Sequence, residues 1–195
     1  MRAEYAPTAN PVNEPTAGTA RTSALVFTFV LAAYTFARVL EVIPIRVPSL
    51  VIVALKVLSA LAFAVVDGAR HYRLRGILVF AAICALVDNI AENLSFSTGF
   101  PFGHDDFTGL MGAKLFQVPG LPGLASIGMA YLSWTLGRPI AGQATNLFTV
   151  PITASFIRVA WDFAQDSVWG TVLNGWAWID GGPWFGVPIS NYFGW

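Results

Sequence analysis

Residues 76–94 read GILVFAAICALVDNIAENL. At about 1.5 Å per residue, such a run is long enough to cross most of the roughly 30 Å hydrocarbon core of a bilayer. It has no period-two alternation, so it reads as a helix and not as a strand of a membrane barrel. Its two charged residues, Asp88 and Glu92, stand four apart. That spacing puts them on one helix face, about 6 Å from each other. An ionisable group at mid-span costs about 2.5–3.5 kcal/mol on insertion scales. Two of them on one face need either partners or a task.

Four further segments resemble this one: 23–43, 48–66, 116–136 and 147–164. Pro44, Pro48, Gly68, Gly76, Gly99 and Gly137 punctuate most of the ends. The 195 residues are 55% hydrophobic and only 11% charged, with a mean hydropathy of +0.62. A soluble chain is about 25% charged, so lipid is the solvent this composition suits. The net charge is zero, and no basic face points to nucleic acid. The single cysteine, Cys84, makes no disulfide within the chain and reads as a small core residue; no Cys/His spacing points to zinc. The expected fold is all-α: a polytopic transmembrane bundle of about five spans forming one domain, 23–195. Residues 1–22, polar and carrying Pro7, Pro11 and Pro15, read as a disordered tail. The apolar run after them is too long for a signal peptide.

The Lys/Arg bias of the loops sets the expected orientation. Arg70, Arg73 and Arg75 lie between the second and third spans, which places that loop in the cytoplasm with Arg21 and Arg138. Arg46 and Lys114 fall on the other side. The chain is then an integral multi-pass protein of a prokaryotic plasma membrane, with a cytoplasmic N-terminus. Asp88, Glu92, Arg158, Asp162, Asp166, Arg38 and Glu41 gather in the outer halves of the spans, and Lys56 lies roughly 12 Å below the outer end of its own. The faces bearing Asp88/Glu92 and Arg158/Asp162/Asp166 are expected to meet inside the bundle. One reading is a structural network in which Lys56 and Arg158 neutralise Asp88 and Asp162. The other is a polar cavity in which a buried carboxylic acid serves as a general acid.

Two long loops face outward in this scheme. In the first, His104, Asp105 and Asp106 are three adjacent residues, poor geometry for one metal ion, and read as a solvated turn. The second carries Trp169, Trp176, Trp178, Trp184, Phe185, Tyr192, Phe193 and Trp195. It reads as an interfacial aromatic belt, or as a pocket wall whose ring faces attract a cation. Residues 179–188 read as a tightly turning re-entrant or interfacial segment.

The string Ser97-Thr98-Gly99-Phe100-Pro101-Phe102-Gly103 follows Glu92, and Gly112, Lys114, Val118 and Pro119 come after it. Near the end stand Gly181-Gly182-Pro183-Trp184-Phe185-Gly186-Val187-Pro188, then Asn191, Phe193, Gly194 and Trp195. These strings, over about 81–195, resemble the membrane carotenoid biosynthesis proteins, which include carotenoid 1′,2′-hydratases and bisanhydrobacterioruberin hydratases. His104 to Phe107 depart from the tyrosines such proteins carry there. Such proteins also usually continue past the Gly-Trp pair into one or more further helices, so a chain ending at Trp195 reads either as a fragment or as a shortened member. The resemblance implies acid-catalysed addition of water to a terminal double bond of an acyclic carotenoid, a lipid-soluble substrate, with no cofactor and no metal. It makes Glu92, Asp88, Asp162 and Asp166 the acid and base candidates, Glu92 first. Phe100, Phe102, His104, Trp176, Trp178, Trp184 and Phe185 are the expected substrate contacts.

Two rivals remain. Asp162-x-x-x-Asp166 has the spacing with which an intramembrane prenyltransferase holds magnesium and an isoprenoid diphosphate, although Asp88-Asn89-Ile90-Ala91-Glu92 copies the companion motif poorly. A membrane assembly or carotenoid-carrier protein is the non-enzymatic rival.

Overall fold

The computed structural model describes residues 17–43, 47–142 and 147–195. The chain is mostly helical. Helix α1 covers Ala17–Val42, α2 Ser49–Thr98, α3 Gly120–Ala141 and α4 Thr149–Asp166. Arg73 breaks α2, with φ 60° and ψ 159°. Its two arms fold into a hairpin, because Gly68 of the first arm leaves room only for the Ile77 side chain of the second. Ile77 is buried there with Ala64 and Tyr131. The helical segments thus fall where the five apolar runs lie in the sequence. Residues 17–22, expected in the tail, are helical; the rest of that tail, 1–16, lies outside the described residues.

Two of these helices are long and apolar enough to cross a membrane, α1 over Ala24–Val42 and α2. Lipid rather than water is the solvent that suits their outer faces. On α1, Leu25, Phe29, Leu31, Phe36, Val39 and Val42 are all exposed, as are Leu78, Ile83, Leu86 and Ile90 on the second arm of α2. Apolar surface this continuous marks membrane or partner contact.

Close packing comes from small residues. A Cβ on Gly128 of α3 would stand 2.8 Å from that of Ala60 on α2, so these two helices touch backbone to backbone. Such contacts are how helices associate where lipid supplies no hydrophobic drive.

Beyond α2 the chain turns at Gly99, which is left-handed (φ 74°) and donates its N–H to Ser95 O at 2.8 Å. Ser95 has no exposed surface. Its Oγ donates to Gly103 O (2.7 Å) and accepts the Phe102 N–H (2.9 Å), which ties the first loop onto the helix end. The loop continues as β1 (Asp105–Phe107), a 3-10 turn (Gly109–Met111), and the paired β2 (Lys114–Leu115) and β3 (Val118–Pro119). Past α4 come a π-helical turn (Ser167–Val172), β4 (Trp176–Trp178) and the short α5 (Ile189–Gly194). β1 and β4 pair antiparallel across some seventy residues of sequence, Asp105 opposite Trp178 and Phe107 opposite Trp176. The two motif strings also meet. Phe102 stacks on Trp195 at 4.5 Å, and Ser190 Oγ donates to Phe102 O at 3.1 Å. Gly182 lies so close to the Val187 carbonyl that no Cβ fits between them.

Candidate active site

The end of the bundle beneath these loops holds a cavity of about 130 Å³. The second arm of α2 sends in Asp88 and Glu92, and α4 sends in Arg158, Asp162 and Asp166. Each set repeats every four residues, so each lies on one helix face. The strand pair closes the site. Residues directly opposite in an antiparallel pair share a face, so Asp105, Phe107, Trp176 and Trp178 all point inward, and all four line the cavity. Met111, Met129, Trp161, Trp169 and Trp195 fill much of the remaining wall.

Asp162 and Asp166 are held as a pair. Asn191 Nδ2 donates to Asp162 Oδ2 at 2.9 Å and to Asp166 Oδ2 at 2.5 Å. Trp195 Nε1 donates to Asn191 Oδ1 at 3.0 Å, which fixes which way the buried amide faces. Arg158 Nη1 donates to Asp162 Oδ1 at 3.0 Å, while its guanidinium carbon lies 3.9 Å from the Trp195 ring centre and 5.0 Å from that of Trp161. The expected Arg158–Asp162 pairing is therefore present.

Lys56 pairs elsewhere than expected. Its Nζ donates to Glu41 Oε1 at 2.5 Å, not to Asp88. Glu41 also accepts from Arg38 Nη1 (2.5 Å) and Trp169 Nε1 (3.0 Å), and Arg38 reaches Gln165 Oε1 (2.8 Å). This network joins α1, α2, α4 and the π-helical turn beside the cavity. With Lys56 so engaged, Asp88 forms no ion pair among the described residues; Ser126 of α3 lies beside it, and Arg158 is near enough for their charges to interact.

Glu92 makes no hydrogen bond among the described residues, and the carboxyls of Asp105, Asp88, Asp162 and Asp166 surround it closely enough to repel its charge. Asp105 is buried, which pushes its carboxyl up to about 6; Asp106 adds to the push, while its own backbone, Lys114 and His104 oppose it.

All four carboxylates expected to act are thus in the cavity wall, with Trp176 and Trp178 of the expected substrate contacts. The other five are not. Phe100, Trp184 and Phe185 are exposed, with Trp184 stacked on the outer ring of Phe163 at 4.3 Å. Phe102 is buried one layer back, against Trp195. His104 turns away to Asp180, its ring nitrogen Nδ1 2.8 Å and its backbone N 2.9 Å from the carboxylate. These contacts hold the exposed Asp180 carboxyl below the usual range. His104, Asp105 and Asp106 face three different ways, Asp106 toward Lys114 Nζ at 3.2 Å. Sequence reasoning placed Arg158 on the acid face but missed Asp105 and Asn191 as parts of the same site. Alternation was the available signal, in Asp105-x-Phe107 and Trp176-x-Trp178.

At the opposite end, Asp67, His71, Tyr72, Tyr131 and Arg138 line a second cavity of about 430 Å³. Tyr131 Oη donates to Asp67 at 2.7 Å, and Arg138 donates to Tyr72 Oη at 3.0 Å.

Searches among curated proteins and among solved structures each find no match. The family model described as "Carotenoid biosynthesis protein" matches residues 47–195, which include every residue of the acidic cavity except Tyr34 of α1. The chain belongs to the carotenoid biosynthesis protein family.

Proposed function

We propose that this protein hydrates a terminal carbon–carbon double bond of an acyclic carotenoid by acid catalysis. The observation that carries the reading is the convergence of five carboxyls on one aromatic-walled cavity whose two cations are Arg158 and Lys56, the latter already paired with Glu41. Like charges that close cannot all ionise in a poorly solvated site, so the set carries protons at neutral pH. A proton held there, beside apolar walls, is what an isolated alkene requires. Glu92, central among the acids, is the proton donor in this reading. The proton goes to the less substituted alkene carbon, and a tertiary cation forms beside the indole faces of the wall, which favour positive charge. Water then adds and a proton returns to the carboxylates. A volume near 130 Å³ is of the order that holds a benzene-sized group, so it takes the tip of the chain and not its length. No cofactor is called for.

The same reading makes the chain a multi-pass protein. Its five apolar helical segments cross a prokaryotic plasma membrane, its N-terminus is cytoplasmic, and the cavity opens toward the outer side, where the carotenoid reaches it through lipid. The facing acid pairs, each four residues apart, also favour an intramembrane prenyltransferase. Purified protein in liposomes with lycopene, and with neither magnesium nor an isoprenoid diphosphate, separates the two. Under the hydratase reading the pigment gains the mass of one water, and Glu92→Gln abolishes the gain. An unchanged pigment mass with folded protein defeats the reading.

A further inference from the structure

Three buried side-chain atoms at the cavity have no hydrogen-bond partner among the described residues: Asp88 Oδ1, Asp105 Oδ1 and Trp178 Nε1. Buried polar groups are nearly always satisfied, and a water with two to four polar partners is the usual remedy. These three comprise two acceptors and one donor, which matches a water that gives two hydrogen bonds and accepts one. Their placement is built into the fold. Asp105 and Trp178 stand directly opposite in the β1–β4 pair with their side chains on the inward face, and Asp88 enters from α2. Asp88 and Asp105 are both more than nine-tenths buried.

We propose that Asp88, Asp105 and Trp178 hold the water that captures the cation, with Asp105 as the base that takes its proton. This rests on the hydratase reading above. The water oxygen forms a bond to the tertiary carbon with its lone pair, and the O–H bond breaks as its electrons stay on oxygen. The released proton binds the Asp105 carboxylate. It then passes to the carboxylate that donated the first proton, which restores the starting state; Glu92 lies close enough to Asp105 for their charges to interact. Alkene plus water gives alcohol, with no electron gained or lost. A base with its carboxyl near 6 suits this task around neutral pH. The groups facing it are Glu92 from α2, Lys114 from β2, and His104 and Asp106 on its own loop.

The test uses the full chain in lycopene-containing liposomes made up in heavy water. The wild type forms alcohol. In Asp105→Asn, protonation still occurs but capture fails. The cation then loses a proton to the first carboxylate, and recovered lycopene carries deuterium while alcohol falls about 100-fold or more. Alcohol within threefold of wild type overturns the assignment. So does loss of both alcohol and deuterium uptake in a variant that still binds lycopene by absorbance, because that places Asp105 in the protonation step. If Asp105→Asn does not fold, Trp178→Phe decides. It removes only the indole donor, and slower capture with raised deuterium uptake is expected; unchanged capture overturns the proposal. If the wild type neither hydrates nor exchanges, the hydratase reading itself fails.

Discussion

Asn191 offers the sharpest test of how the acid pair is held. Its side chain has almost no exposed surface and makes three hydrogen bonds, two to Asp162 and Asp166 and one from Trp195. Leucine has nearly the same volume and none of these bonds. A bond to a charged group contributes about 1.5–3 kcal/mol and a neutral one about 1 kcal/mol, so simple addition gives roughly 4–7 kcal/mol. Part of that returns. The two carboxyls border a cavity that water can enter, and they can bond each other by sharing a proton. A net loss of about 3–5 kcal/mol remains, in the range for breaking a buried charge network. Denaturant unfolding in detergent, followed by tryptophan fluorescence, reads it, since Trp161, Trp169 and Trp195 all sit at the site. A loss below 1 kcal/mol would mean that the amide is a spectator and does not hold the acid pair.

Other outcomes follow from the same geometry. Gly128→Val forces α3 off Ala60 and should cost about 1–3 kcal/mol, while also disturbing Ser126 and Met129 at the cavity; thermal unfolding and hydration rate should fall together. Lys56→Met leaves Glu41 with Arg38 and Trp169 as its partners among the described residues and should cost about 3–5 kcal/mol, read by the same unfolding assay. Asp105 holds its proton more tightly in the fold, near 6, than at its ordinary 3.8. Its contribution to stability is therefore complete below about pH 3.8 and lost as pH rises through 6, roughly 3 kcal/mol at 1.36 kcal/mol per pH unit. Unfolding curves of wild type and Asp105→Asn should diverge across that window. Tyr131→Phe, at the far end, should cost about 1–2 kcal/mol through its lost bond to Asp67, with no change in hydration rate.

The helical segments and the gathering of acids at one end were legible because both follow from single-helix rules. Apolar length marks the helices, and four-residue spacing puts Asp88 with Glu92 and Asp162 with Asp166. The partner of Lys56 was not legible, because it depends on how α1 rotates against α2, and Glu41 and Asp88 are equally plausible charges in one dimension. From sequence alone Asp105 reads as part of a solvated turn. Its strand is three residues long, too short for alternation to stand out, and its inward aim comes from pairing with Trp178 far along the chain. The same pairing explains the aromatics. Alternation on β4 turns Trp176 and Trp178 inward, whereas Trp184 and Phe185 sit on a tight turn that pairs only with itself, Trp184 bridging Val187, and remain outside.

Under the proposed function, the acid cavity adds water across a carbon–carbon double bond. Lycopene liposomes carrying the purified full chain in oxygen-18 water test it most directly. The expected product is an alcohol whose hydroxyl carries the heavy oxygen, formed equally well without molecular oxygen. An alcohol lacking the label, or unchanged lycopene beside folded protein, would contradict it.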